Sequence, residues 1–300
     1  MTLARDAAAE PSLPVEASGL VQLEADLVRA VATAKPRATT LDVIERVLRM
    51  RGGVGSRESV HAALSTLSLP LRLNFPLFVF YGNGGTWDDG ADEPQNTRIG
   101  LTEFGKAAAD AATGTGPPIP WDLLNGSFHR AGSRAGFTPT GVAHAAEQVQ
   151  AGEVIDTRFL DVMVASHGLA RGDLGALVAG GVAEFEFSPR LERNDSGFVV
   201  TGVPPRTSPR HAAALISRKY LVPATDLTTG NEVRVEVWVP PEGGGERLAP
   251  LLAGKEHPLT ERYVLDLGQP LNDFLSEWQL RHGPDSTRAG MDLMIKLANL

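Results

Sequence analysis

The chain has no cysteine, only three tyrosines among 300 residues, and no apolar run approaching the length of a membrane span. Each shortage closes a class of function. Without cysteine there is no disulfide, no thiolate zinc site and no thiol nucleophile. A bilayer-crossing helix needs roughly 20 consecutive apolar residues, and the N-terminal MTLARDAAAEPSLPVEAS lacks the continuous hydrophobic segment of a secretion signal. The expectation is a cytoplasmic protein with no membrane partner. Positive charge is short as well: 28 Lys and Arg against 36 Asp and Glu leave a net charge of −8. Duplex binding draws its affinity from neutralised phosphates, so an acidic total weighs against strong autonomous DNA binding unless basic side chains gather on one face.

What is present is the patterning of a folded protein, long enough for two domains. Residues 1–18 are rich in Ala, Pro and Glu and are expected to be disordered. A helix follows over about 19–34, with Leu20, Leu23, Leu27, Ala30 and Val31 on one stripe, and Pro36 ends it. Thr39 and Thr40 cap a second helix carrying Leu41, Ile44, Val47 and Leu48. Ser56 caps a third, with Val60, Ala63, Leu64 and Leu67 inward. Helix, turn, helix and then an apolar strand is a winged-helix order.

The organising stretch runs from Asn74 to Ala112. Phe75 to Tyr81 reads as a buried strand, with the Tyr81 ring as its anchor; Gly82, Gly84 and Gly85 allow a sharp turn, and Asp88 to Asn96 form an acidic loop. Arg98 and Ile99 then precede a helix capped by Thr102, with Glu103 in its first turn. Farther on, GTGPPIP (114–120) is a stiff link that marks a boundary. Pro139 opens a helix to Val149. Ala183, Phe185 and Phe187 alternate with Glu184 and Glu186 as a strand, which a turn at Asn194 to Gly197 returns through Phe198 to Val203 as a hairpin. Helices at 209–220, 246–253 and 271–280 and strands at 231–239 and 263–267 complete the pattern, ahead of a tail striped by Met291, Met294, Ile295 and Leu297.

The stretch Phe75-Pro76-Leu77, Gly82-Asn83-Gly84-Gly85, Arg98-Ile99, followed by Lys106 and Ala108, resembles the A subunit of bacterial DNA gyrase and topoisomerase IV, the DNA-cleaving subunit of type IIA topoisomerases. Weaker likenesses lie in the same order on both sides: Val60-His61-Ala62-Ala63-Leu64, Leu123-Leu124-Asn125-Gly126-Ser127, and Val199-Val200-Thr201-Gly202-Val203-Pro204. The resemblance covers about Gly19 to Trp278. It implies an α+β protein in which a winged-helix domain (19–113) precedes a tower-like domain of helices and antiparallel sheet (114–282), with residues 283–300 as a C-terminal tail. The family's long coiled coil and DNA-wrapping domain fall beyond the matched part.

On that resemblance the catalytic tyrosine falls on Ile99, or on Leu101 if Thr102-Glu103 sets the register, and neither carries a side-chain oxygen. The family's paired histidines are replaced by Gly53 to Arg57, its intercalating isoleucine by Arg130, and its positions of quinolone response by Glu58 and Ala62. The implied protein is a catalytically inactive A-subunit-like chain that acts by binding duplex DNA, a gyrase subunit or a gyrase-directed small molecule. It would form a homodimer through the winged-helix domain. The alternative is a divergent subunit that cleaves DNA with a B-type partner, using Tyr81 as a displaced nucleophile. A plain DNA-binding regulator is a third reading. No cofactor and no metal are expected: Asp88, Asp89, Asp92 and Glu93 read as a solvated loop, and Ser166-His167 lacks a nucleophile elbow. Candidate DNA contacts are Arg51, Arg57, Arg98, Arg130 and Arg134, beside Arg46 and Arg49.

Overall fold

Local capping sets the first helices. The structure, a computed structural model, describes residues 22–125, 135–194, 197–230, 232–239 and 259–299. Helix α1 (Gln22–Ala32) buries Leu27, Val28, Ala30 and Val31. Helix α2 (Thr40–Met50) starts on a reciprocal cap: Thr39 accepts from the Asp42 N–H, and Asp42 accepts from the Thr39 N–H at 2.8 Å. Ser56 and Ser59 make the same exchange at α3 (Arg57–Ser68). There Val60, Leu64 and Leu67 fall on one buried stripe.

Strand β1 (Phe78–Tyr81) is shorter than the apolar run that encodes it. It pairs antiparallel with β2 (Arg98–Leu101), a strand that the four residues alone do not announce. The pairing alternates faces. Phe78 is buried and Tyr81 is 62% exposed, so Tyr81 is a surface residue and not the buried anchor expected. Helix α4 (Glu103–Thr113) follows, capped by Thr102 and closed by Gly114 in the left-handed conformation.

Beyond it come α5 (Trp121–Asn125), β3 (Ala135–Phe137), and α6 (Pro139–Gln150), capped by Thr138. Strands β4 (Val162–Val164) and β5 (Gly168–Leu169) join β3 in one antiparallel sheet. Next are β6 (Arg171–Gly172), helix α7 (Leu174–Gly180), β7 (Val182–Phe187), β8 (Arg190–Asn194) and β9 (Gly197–Gly202). The chain continues through α8 (Pro209–Tyr220), β10 (Ala224–Asp226), β11 (Val235–Trp238), β12 (Glu261–Asp266), α9 (Leu271–His282) and α10 (Pro284–Ala298).

One expected pairing is corrected. The alternating strand β7 does not fold back on β9; it lies between β6 and β12. The hairpin partner of β9 is β8. Ser188-Pro189 separates β7 from β8, and proline has no N–H to continue a ladder, so the chain changes sheets there. The order β8-β9-β11-β10 completes the second larger sheet. The helix expected at 246–253 lies outside the described residues, and the striped tail forms α10.

The main core is continuous from Ala25 to Leu297 and includes Trp121, Phe137, Phe185, Phe187, Trp278 and Met294. A second core joins α8 to the β8–β11 sheet through Val200, Val235, Ala212 and Ile216. The N-terminal part contributes Leu71 to it, with Trp87 packed alongside. The architecture is α+β, with small antiparallel sheets packed against helices. Among the described residues no helix is long and apolar enough to cross a membrane.

Candidate functional site

Glycine starts the site. Gly82 and Gly85 hold φ values of 118° and 87°, where a side chain would be strained, and a Cβ at Gly84 would come within 2.6 Å of the Phe80 ring. The chain therefore turns sharply out of β1 and arches over the outer face of α3. Side chains of the loop close it on itself: Asn83 Oδ1 accepts from the Gly85 N–H at 3.0 Å, Asn83 Nδ2 donates to Asp92 at 3.1 Å, and the Asp89 N–H donates to Thr86 Oγ1 at 3.1 Å. Two arginines from other elements pin it. Arg72 Nη2 donates to the Trp87 carbonyl at 2.9 Å, and Arg210 of α8 grips Asp89 through both carboxylate oxygens at 3.2 and 2.9 Å. At its far end the Leu41 N–H donates to the Pro94 carbonyl, and Thr40 and Thr97 share a buried 2.8 Å hydrogen bond.

The arch leaves a cleft of about 670 Å³ between α3 and the loop. Glu58, His61, Ala62 and Ser65 form the helix wall; Trp87, Asp88 and Glu93 form the loop wall. Its charges sort into cancelled and uncancelled. Arg57 is ion-paired with Glu45 of α2, and Asp89 with Arg210, whose hydrogen bond and charge hold the Asp89 carboxyl below its usual range. Burial pushes the Arg72 pKa down, with Asp88 opposing; the guanidinium sits 5.8 Å from the Trp87 ring centre, and its Nε is buried without a hydrogen bond among the described residues. Burial also lowers the His61 pKa, which favours the neutral ring, although Glu93 pulls the other way. Its Nε2 likewise makes no hydrogen bond among the described residues. Hydrogen bonds from its own backbone N–H and from Ser56 hold the Glu58 carboxyl low and therefore ionised. Glu58, Asp88 and Glu93 have no ion-pair partner among the described residues.

A second face lies on the β1–β2 hairpin. Tyr81 stands directly across from Arg98, and its ring extends over Gly100, with the hydroxyl 3.1 Å from where a Cβ would stand. Lys106 lies near enough for Tyr81 to add to the rise in its pKa, a rise caused first by its hydrogen bond to Glu103. Ile99, paired with Phe80, points to the other side and is 9% exposed.

The remaining sequence candidates scatter. Arg51 turns back to Asp26 of α1 at 3.2 Å, Arg57 is held by Glu45, and Arg46 donates to the Thr33 carbonyl at 3.0 Å. Arg130 and Arg134 lie outside the described residues. Among the described residues no three of His, Asp or Glu come together as a metal site, and Asp89 and Asp92 are committed to Arg210 and Asn83. Ser166 donates to the Val203 carbonyl and His167 to Ser188, so both are engaged by backbone. Sequence reasoning missed Arg72 and Trp87. The signal available was one tryptophan in a Gly- and Asp-rich loop, and an arginine between the apolar Leu71 and Leu73. Comparison with models of protein families and with curated proteins finds no match to this chain.

Proposed function

We propose that this chain is a non-catalytic counterpart of the type IIA topoisomerase A subunit: a winged-helix domain over 19–113 and a tower-like region over 114–282, acting by binding. The observation that carries the reading is Ile99. In the position the resemblance gives to the nucleophile stands an alkyl side chain, packed against the core side of the hairpin and covered. Covalent phosphoryl transfer needs an oxygen positioned at the phosphate.

Of the three partner classes, a small molecule has the best support. The face of α3 that a winged helix would lay in a major groove is roofed by an acidic loop and opens instead into a ligand-sized cleft. Roofing of that face counts against duplex DNA.

One observation favours the rival reading, a divergent DNA-cleaving subunit. Tyr81 is exposed, with Arg98 opposite and Lys106 near, which is a nucleophile beside cations. Against it, the neighbouring depression is lined by Pro76, Phe78, Val79, Phe80 and Phe104 and, among the described residues, by no basic side chain. Incubation with supercoiled DNA and a B-type subunit, followed by denaturant trapping, separates the two. The binding reading expects no protein–DNA adduct; an adduct that Tyr81→Phe abolishes overturns it.

A further inference from the structure

We propose that the cleft between α3 and the 84–95 loop takes a flat heteroaromatic cation; this rests on the small-molecule reading above and names the ligand class. Size comes first. A volume of about 670 Å³ lies inside the roughly 300–1,000 Å³ typical of small-ligand sites. Shape comes from Trp87, whose half-buried indole forms the loop wall while Ala62 and Ser65 keep the opposing helix wall low. A planar ring can lie along such a face with offset-stacked geometry.

Charge selects the sign. Glu45 cancels Arg57 and Arg210 cancels Asp89. What remains at the cleft is three exposed carboxylates, Glu58, Asp88 and Glu93, against one guanidinium, Arg72, which is already committed to the Trp87 carbonyl. His61 favours its neutral form. The surplus is negative, so phosphate or carboxylate ligands are repelled and a cationic ring is attracted.

The test is a fluorescence titration of the full, nucleic-acid-free chain with proflavine, a flat cation, beside acridine, its largely neutral relative, and anthracene carboxylate, an anion of similar shape. Proflavine should bind best. Its affinity should fall about fivefold in the combined variant Glu58→Gln, Asp88→Asn, Glu93→Gln, as expected for three solvent-screened rim charges. All three side chains are exposed and each replacement keeps a carbonyl acceptor, so the variant should keep the parent's circular dichroism, with only a small fall in melting temperature where the first turn of α3 loses the Glu58 charge. Equal or tighter binding of acridine or anthracene carboxylate, or an unchanged proflavine affinity in the variant, overturns the cationic class while leaving the cleft a small-molecule site. Failure of all three molecules to bind overturns both the ligand class and the small-molecule reading beneath it.

Discussion

At His167 the imidazole Nε2 lies 2.6 Å from the Ser188 carbonyl, which can only accept, so Nε2 carries the proton. Nδ1 is then the bare nitrogen, buried with no partner among the described residues. Protonating it would put a second N–H and a charge where neither is solvated, and Arg190 nearby opposes the charge further. Burial is the larger cause, and the folded pKa lies below the ordinary 6.5. The sign follows. Below 6.5 the unfolded chain takes up a proton that the folded chain refuses, so stability is full above 6.5 and declines as pH falls toward the folded value. His61 and His282 shift the same way through burial, so the three act together. The melting temperature should drop between about pH 7.5 and about pH 5. His167→Gln, which can still donate to Ser188, should remove part of that drop. A melting temperature that stays level across the interval, or a drop unchanged by the substitution, would contradict this account.

Helix α4 depends on two glycines for different reasons. Gly105, in its first turn, lies against the Leu77 carbonyl oxygen so closely that a Cβ would overlap it. Gly114 ends the helix at φ 73° with open space around it. Gly105→Ala must push helix and hairpin apart and should cost about 2–4 kcal/mol. Gly114→Ala meets only backbone strain and should cost about 1 kcal/mol. Urea denaturation of both variants measures the contrast, and equal costs would refute the packing argument. The same element shows what sequence can reveal. Thr102, Thr39 and Ser56 were legible as caps because capping is settled within four residues. The pairing of β1 with β2, and of β7 with β12 across more than seventy residues, depends on contacts no local pattern encodes. Helix α7 hid in a Gly-rich stretch, GDLGALVAGG, whose composition reads as loop. The cleft was legible only in part: its acids and glycines stood out, but the roof over α3 exists because Arg72 and Arg210 reach it from elsewhere in the fold.

Across the whole molecule, the distribution of charge decides what can approach. The net charge is −8, and the basic groups that could offset it locally are spent internally: Arg51 on Asp26, Arg57 on Glu45, Arg210 on Asp89. The open face of the β6-β7-β12 sheet carries Glu184 and Glu186, with Arg262 drawn between them at 3.7 and 3.1 Å. A duplex laid along either surface would meet carboxylates before phosphate-binding groups. Each phosphate neutralised contributes about 0.9 to the slope of log affinity against log salt. With Arg98 and one or two further cations free to engage, the slope should be about 2–3, and any binding should weaken by about ten- to fortyfold between 50 and 200 mM salt. Fluorescence anisotropy with a labelled duplex measures that slope for the entire chain, Arg130 and Arg134 included. A slope of about 5 or more would mean that at least five cations act together on one face, and a groove-binding role would then displace the cleft as the centre of the protein's function.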